Sequence, residues 1–253
     1  MPYALLQTDL TVPPVEKLKQ AFRASRILTE LDAFTVAADA FGILVKNLPV
    51  EKANQLQADL RAAGVETEVV EASGLPALPA TKFVHRMNCT AEALMIYDPL
   101  GRAFPLAWGH ILMIAAGVVR LTEFNPVRTS RPVITHDTYG SPIMDSVPET
   151  SHREERNYHL MLEIILSRAV LRYSVTADKF NFLYLGPRKT ASVQKNFELL
   201  VQDLASSAPQ AQLNRGALAV RDHAPELFSY PTKNAFFEEI TWLLWRMAQS
   251  ATT

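Results

Sequence analysis

The residues best placed to do chemistry lie in one polar stretch, Thr122 to Asn157, which holds Arg128, Thr129, Ser130, Arg131, His136, Asp137, His152, Glu155 and Arg156. Arg128 and Arg131 flank two hydroxyl residues, a grouping able to grip a phosphate or carboxylate through forked and hydroxyl hydrogen bonds. With His152 and Arg156 they make the candidate ligand-binding set. Carboxylates in the same stretch outnumber the arginines, so a solvated loop is the favoured account, and a stretch of this length without a core pattern is either functional or mobile. His152, Glu155 and His159 are spaced by three and four; on a helix they would share a face and offer nitrogen and oxygen ligands to a divalent ion. Tyr158 to Leu166 has a strand pattern, however, which splays His159 away, and no metal site is assigned. His136 beside Asp137 suggests a dyad, but adjacent residues rarely face each other. Gly140-Ser141-Pro142 lacks the flanking glycine of a nucleophile elbow. No catalytic residue is assigned.

Cys89, the single cysteine, excludes an intrachain disulfide and a multi-cysteine zinc site. His85 and Arg86 stand near it in sequence and could lower its thiol pKa; a small residue half buried at a turn is the favoured alternative. His110 precedes the longest apolar run, a position suited to a buried ring. The nine glycines exclude more, because no two lie closer than eight residues. Dinucleotide fingerprints and phosphate-cradling loops need clustered glycines so that backbone N–H groups can approach phosphate oxygens, so no cofactor is expected. Basic and aromatic residues interleave from Arg168 to Lys189 as they do on surfaces that stack single-stranded nucleic acid. Phe180, Phe182 and Tyr184 share one strand face, which assigns them to the core, and the net charge of −1 supplies no overall field for nucleic acid or an anionic membrane. No nucleic-acid partner is expected.

These residues must be positioned by a chain of 253 residues with 48% hydrophobic and 20% charged content, a composition that buries a sizeable core and suits two domains. No apolar run reaches the roughly 18 residues of a membrane span, and the start lacks the basic-then-apolar layout of a signal peptide; the expected location is cytoplasmic. Ser73, Gly74, Pro76 and Pro79 break both helix and strand, dividing the chain into segments 1–72 and 80–253. The expected fold class is α+β.

In the first segment Tyr3 to Leu6 forms a strand candidate, and Pro13-Pro14 opens a helix with Val15, Leu18 and Phe22 inward. A second helix starts at Thr29 with Leu28, Leu31, Phe34 and Ala38 as its inner stripe. Phe41 to Leu48 is a strand, Pro49 starts a third helix with Ala53, Leu56 and Leu60 on one face, Gly64 caps it, and Val65 to Glu71 alternates as a strand. This β-α-α-β-α-β order, and above all Val50-Glu51-Lys52-Ala53-Asn54-Gln55-Leu56 through Ala62-Ala63-Gly64-Val65 to Val69, resembles the carboxy-terminal domain of the ribosomal stalk protein and its relative the Clp protease adaptor. The resemblance implies a small sandwich whose helix pair meets another protein. In the adaptor family a histidine and an acidic pair hold a peptide amino terminus; this segment has no histidine, and that property is not carried over.

Beyond the linker, Lys82 to Met87, Ala93 to Tyr97 and Phe104 to Trp108 are expected as an antiparallel meander. Ile111 to Val119 is expected as a strand buried on both faces, followed by strands over 158–166, 169–175 and 180–185. Ser192 caps a helix with Val193, Phe197, Leu200 and Leu204 inward, and a last helix from Thr232 or Asn234 aligns Phe236, Ile240, Leu243 and Met247. In outline this segment looks like a pleckstrin-homology-type barrel. Phe237, Trp242 and Trp245 lie off the main stripe of the last helix, which is either packed on two sides within the monomer or is an interface, where tryptophan is enriched. The function expected from all this is a non-enzymatic protein-interaction or regulatory module, contacting a protein partner or a second copy through the last helix or the amino-terminal segment. The alternatives are a hydrolase or transferase with its site near residues 122–157, or a domain that binds an anionic ligand there.

Overall fold

A computed structural model describes the backbone of residues 1–253 apart from 10, 28, 30–32, 35, 38–40, 137, 138, 140, 141, 168–170 and 251–253, and the side chains apart from these and 122–129, 135, 136, 143 and 145–156. Helices and antiparallel sheets occur together, as the α+β class requires. Two compact units are present: Met1–Val119 with His159–Thr253, and Arg120–Tyr158. The linker at 72–80 and the chain on either side of it fall within the first of these units. Segment 1–72 keeps its own apolar core but is pinned to the end of the chain. The Trp242 indole N–H donates to the Gln7 carbonyl at 3.0 Å, Phe41 meets Trp242 edge-to-face at 5.7 Å, and Lys46 pairs with Glu238 at 3.1 Å.

The amino-terminal sheet has the order β2-β1-β3, all antiparallel, with β1 (Tyr3–Gln7) between β2 (Ile43–Leu48) and β3 (Thr67–Glu71). Leu5 points to the helical side, where it joins Leu18 and Phe22 of α1 (Val15–Ser25) and Leu56 and Leu60 of α2 (Val50–Ala62). Each such side chain contributes about 1.5–3 kcal/mol by leaving water. Pro14 and Pro49 precede the two helices, where a missing N–H costs nothing, and the Val65 N–H reaches back to the Leu60 carbonyl across Gly64, whose φ is +75°. Between α1 and β2 the described residues Ala33, Phe34, Val36 and Ala37 are helical, but the inner face differs from the expected one. Ala33 and Ala37 are buried and Phe34 is 57% exposed. Lys19 of α1 stands 4.6 Å from the Phe34 ring and covers part of it. Leu28, Leu31 and Ala38, the other expected members of that stripe, lie outside the described residues.

The larger sheet has the order β11 (Gln212–Leu213), β8 (Ile111–His136), β9 (Pro142–Leu166), β10 (Leu171–Thr176), β4 (Ala80–Phe83), and β12 (Ser229–Tyr230) also pairs with β8. The apolar run Ile111–Val119 is the first part of β8 (Ile111–His136) and is buried on both faces, as expected. On one face Ile114 and Ala116, with Leu162 and Ile164 of β9 (Pro142–Leu166), pack in a common core with Phe197, Leu200, Val201 and Leu204 of α3 (Val193–Ser207). Ser192 caps α3 by accepting the Lys195 N–H at 3.3 Å, as its position predicted. Three results depart from expectation. The polar stretch 122–157 is not a loop: β8 and β9 run through it and form the second unit, because a two-stranded ribbon needs no apolar face and tolerates proline on its open edges. The expected strand 82–87 splits. β5 (Met87–Cys89) joins β6 (Ala93–Tyr97) and β7 (Ala103–Ala107) in the meander, whereas β4 (Ala80–Phe83) pairs in parallel with β10 (Leu171–Thr176). Residues 180–185 are not a strand, because Asn181 accepts the Leu183 N–H and turns the chain into a 3-10 segment, Leu183–Arg188; Phe180 and Phe182 are buried all the same.

The other edge of β8 is completed by two short parallel strands, β11 (Gln212–Leu213) at Met113–Ile114 and β12 (Ser229–Tyr230) at Val118–Val119. Between them runs α4 (Arg215–Arg221), capped by Asn214. A Cβ at Gly216 would lie 1.8 Å from the Ala116 carbonyl oxygen, so only glycine lets α4 start against the strand backbone. The closing helix, α5 (Lys233–Ser250), starts at Thr232, whose hydroxyl accepts the Ala235 N–H at 3.0 Å. None of the described helices is long and apolar enough to cross a membrane.

Candidate functional site

β4 is the open edge of the larger sheet. All four of its residues are exposed, and no strand lies beyond it among the described residues. In a parallel pair each residue directs both backbone groups either toward its neighbour or away from it. The Val84 N–H donates to the Ser174 carbonyl at 2.9 Å, which places Lys82 in the inward phase and Thr81 and Phe83 in the outward one. The N–H and C=O of Thr81 and Phe83 therefore face solvent. Side chains alternate across the strand. On one face Lys82 lies 5.7 Å from the Phe104 ring and 5.9 Å from the Tyr173 ring. On the other, Phe83, 66% exposed, borders a cavity of about 240 Å³ shared with Val84, His85, Ser174, Thr176 and Lys179. Arg86 stacks 4.3 Å from the Tyr97 ring. Among the described residues Lys82, Arg86 and Lys179 have no carboxylate within 4.0 Å, whereas the neighbouring Arg102 is taken by Asp98 at 2.7 Å. The edge is therefore cationic and aromatic at once. Neither Lys82 nor Phe83 stood out in the sequence, because the parallel partner that exposes them lies some 90 residues away.

The sequence-derived site residues fall elsewhere. Arg128 and Arg131 lie on β8, His152 and Arg156 on β9; Arg131 is exposed, and the side chains of the other three lie outside the described residues. The backbone through His152, Glu155 and His159 is extended, so the shared helical face that would have gathered a metal does not form. Trp242 and Trp245 are 1% and 4% exposed within the monomer, which corrects the interface expectation for both: α5 is packed on two sides, and these indoles belong to its core. Phe237 is half-buried beneath Arg172 at 5.1 Å and Lys233 at 5.8 Å. His110 is exposed rather than buried.

Three polar clusters stand out in the first unit, two of them built on the buried carboxylates Glu163 and Glu239. Glu163, in the middle of β9, accepts from Arg172 Nε at 2.9 Å and from the Ser174 hydroxyl at 2.7 Å; burial raises its pKa against the opposing pull of both partners. Arg172 is held a second time, by the Pro79 carbonyl just before β4. Glu239 binds Arg215, whose guanidinium carbon lies 3.4 Å from the Phe41 ring centre and 4.6 Å from that of Phe228. Tyr184 donates to Asp203 at 3.0 Å, and Arg188 closes on the same carboxylate with two bonds of 2.9 and 2.8 Å. Beside this last cluster sits Cys89. Burial, reinforced by the Asp203 charge, pushes its thiol up to about 12, the reverse of the activation that His85 and Arg86 had suggested. A protonated thiol is a poor nucleophile. Cys89 is accordingly expected to react with a disulfide reagent at pH 8 more than tenfold more slowly in the native chain than in urea; equal rates would refute its protonated state.

Comparison with known proteins finds no matching family model, no matching curated protein and no matching solved structure.

Proposed function

We propose that the chain is a protein-interaction module that takes an extended segment of a partner as an added strand on β4. The observation that supports this most directly is the exposed edge itself: the outward N–H and C=O groups of Thr81 and Phe83 offer a ready ladder, and Lys82 and Phe83 present different chemistry on its two faces. An incoming strand would alternate in the same way, with acidic side chains over Lys82 and apolar ones over Phe83 and its cavity. The uncompensated charges of Lys82, Arg86 and Lys179 favour a negative partner. The likeness of segment 1–72 to the stalk-protein and Clp-adaptor domains fits the same class. A second contact on its helical side is favoured by Phe34, the large exposed aromatic there. Residence in the cytoplasm belongs to this proposal.

Two blocked hexapeptides test it, one alternating Glu and Val, the other Lys and Val, each added to the full chain while amide exchange is followed by NMR. The Glu-Val peptide is expected to slow exchange of the Thr81 and Phe83 N–H groups about tenfold once its free concentration reaches some ten times its Kd. The Lys-Val peptide leaves them unchanged. Thr81→Pro removes an outward donor at an edge where proline is tolerated, and should abolish the effect with no loss of thermal stability. Identical behaviour of the two peptides, or exchange unaffected by either, rejects β4 as the docking strand.

A further inference from the structure

A separate cleft of about 620 Å³ opens where the end of β1 meets α5, a volume in the range of small-molecule sites. Trp242, Arg246 and Ser250 repeat at four-residue steps along α5, with Leu243 and Met247 beside them, so one strip of the helix forms a floor that is apolar at its start and polar at its end. Asp9 stands at the rim contributed by the amino-terminal sheet. The Trp242 indole N–H is already satisfied by the Gln7 carbonyl, which leaves its ring as an apolar wall. Asp9 uses Oδ1 to accept the Thr11 N–H at 2.8 Å and has no partner for Oδ2 among the described residues. The Arg246 guanidinium likewise has no hydrogen-bond or ion-pair partner among them, and both residues are exposed. A carboxylate and a guanidinium thus share one cleft without pairing with each other.

We infer that this cleft binds a zwitterionic small molecule, an amino acid or dipeptide with an apolar side chain, its ammonium on Asp9 and its carboxylate on Arg246. The half-buried Met247 meets the apolar side chain, with the edges of the buried Trp242 and Leu243 closing the cleft. A ligand with only one of the two charges would leave the opposite rim residue unmatched, so selection rests on both ends being present. The inference is independent of β4.

Calorimetric titration of the full chain with leucyl-leucine, its N-acetyl derivative and its carboxamide separates the two charges. The zwitterion is expected to bind at least tenfold more tightly than either derivative. Arg246→Met should weaken leucyl-leucine at least tenfold and leave the carboxamide unchanged; Asp9→Asn should do the same with the N-acetyl derivative as the unaffected ligand. Both side chains are exposed, so the variants keep their fold, as circular dichroism will verify. Equal affinity for all three ligands, or no heat from leucyl-leucine up to millimolar concentration, overturns the inference.

Discussion

Asn214→Ala is expected to remove at least about 3 kcal/mol of stability. Its carboxamide stands in for a strand residue. Oδ1 accepts the Ala116 N–H at 2.9 Å and Nδ2 donates to the Ala116 carbonyl at 3.1 Å, continuing the ladder of β8 across the gap between β11 and β12. The same Oδ1 caps α4 by accepting the Ala217 N–H at 2.9 Å, and the same Nδ2 reaches the Tyr230 hydroxyl at 2.8 Å. Alanine orphans three backbone groups where no water reaches, at about 1–3 kcal/mol each. Asn214→Asp should be no better, because it sets a second acceptor against the Ala116 carbonyl and buries a charge. Urea unfolding followed by circular dichroism measures both, with Gln212→Ala, half-buried on the neighbouring strand, as a control expected to lose under about 1 kcal/mol. A cost below 1 kcal/mol for Asn214→Ala would mean that the β8 edge is satisfied in some other way.

What the sequence discloses and what it hides divides along contact range. The helix Val50–Ala62 carries its own start and stop, a proline before it and Gly64 after it, and an inner stripe at three- and four-residue spacing; Ser192 announces α3 just as locally. Such signals survive without knowledge of the partner. The pairing of β4 with β10 leaves no comparable trace, since Ala80-Thr81-Lys82-Phe83 has the same strand-forming composition whether it continues a meander or crosses to another sheet. The ribbon of β8 and β9 was hidden for a different reason: strand patterns are recognised by alternating apolar residues, and the sequence from Thr122 to Asn157 has no such alternation. Trp242 looks like an interface residue because its partner elements, β1 and the Phe41 turn, lie some 200 residues upstream. The candidate site suffered most. The feature on which the proposed docking rests is a row of backbone groups, whose exposure depends on which strand is last in a sheet and has no residue code.

Arg215 and Glu239 provide the second large effect, with a dependence on pH that separates an ion pair from mere packing. Glu239 is fully enclosed, its two oxygens held by the Arg215 backbone N–H at 2.8 Å and Nε at 2.9 Å. Arg215 keeps a fifth of its side chain in solvent and lies on aromatic faces. Arg215→Met strands a carboxylate with no water near it and is expected to cost about 3–5 kcal/mol at pH 7. Glu239→Ala strands a cation that still touches water and the Phe41 and Phe228 rings, and should cost less. In Arg215→Met the cost comes from burying an unpaired charge, so the deficit is expected to shrink in acid, where carboxyl groups are neutral, and to be full at neutral pH. Combining Arg215→Met with Glu239→Leu removes both charges and should recover much of the loss, the remainder being the backbone N–H at position 215, which loses its acceptor. Thermal or urea unfolding of the three variants at pH 5 and pH 7.5 decides the matter: a deficit for Arg215→Met that is the same at both pH values would show that its role is to fill space between Phe41 and Phe228 rather than to neutralise Glu239.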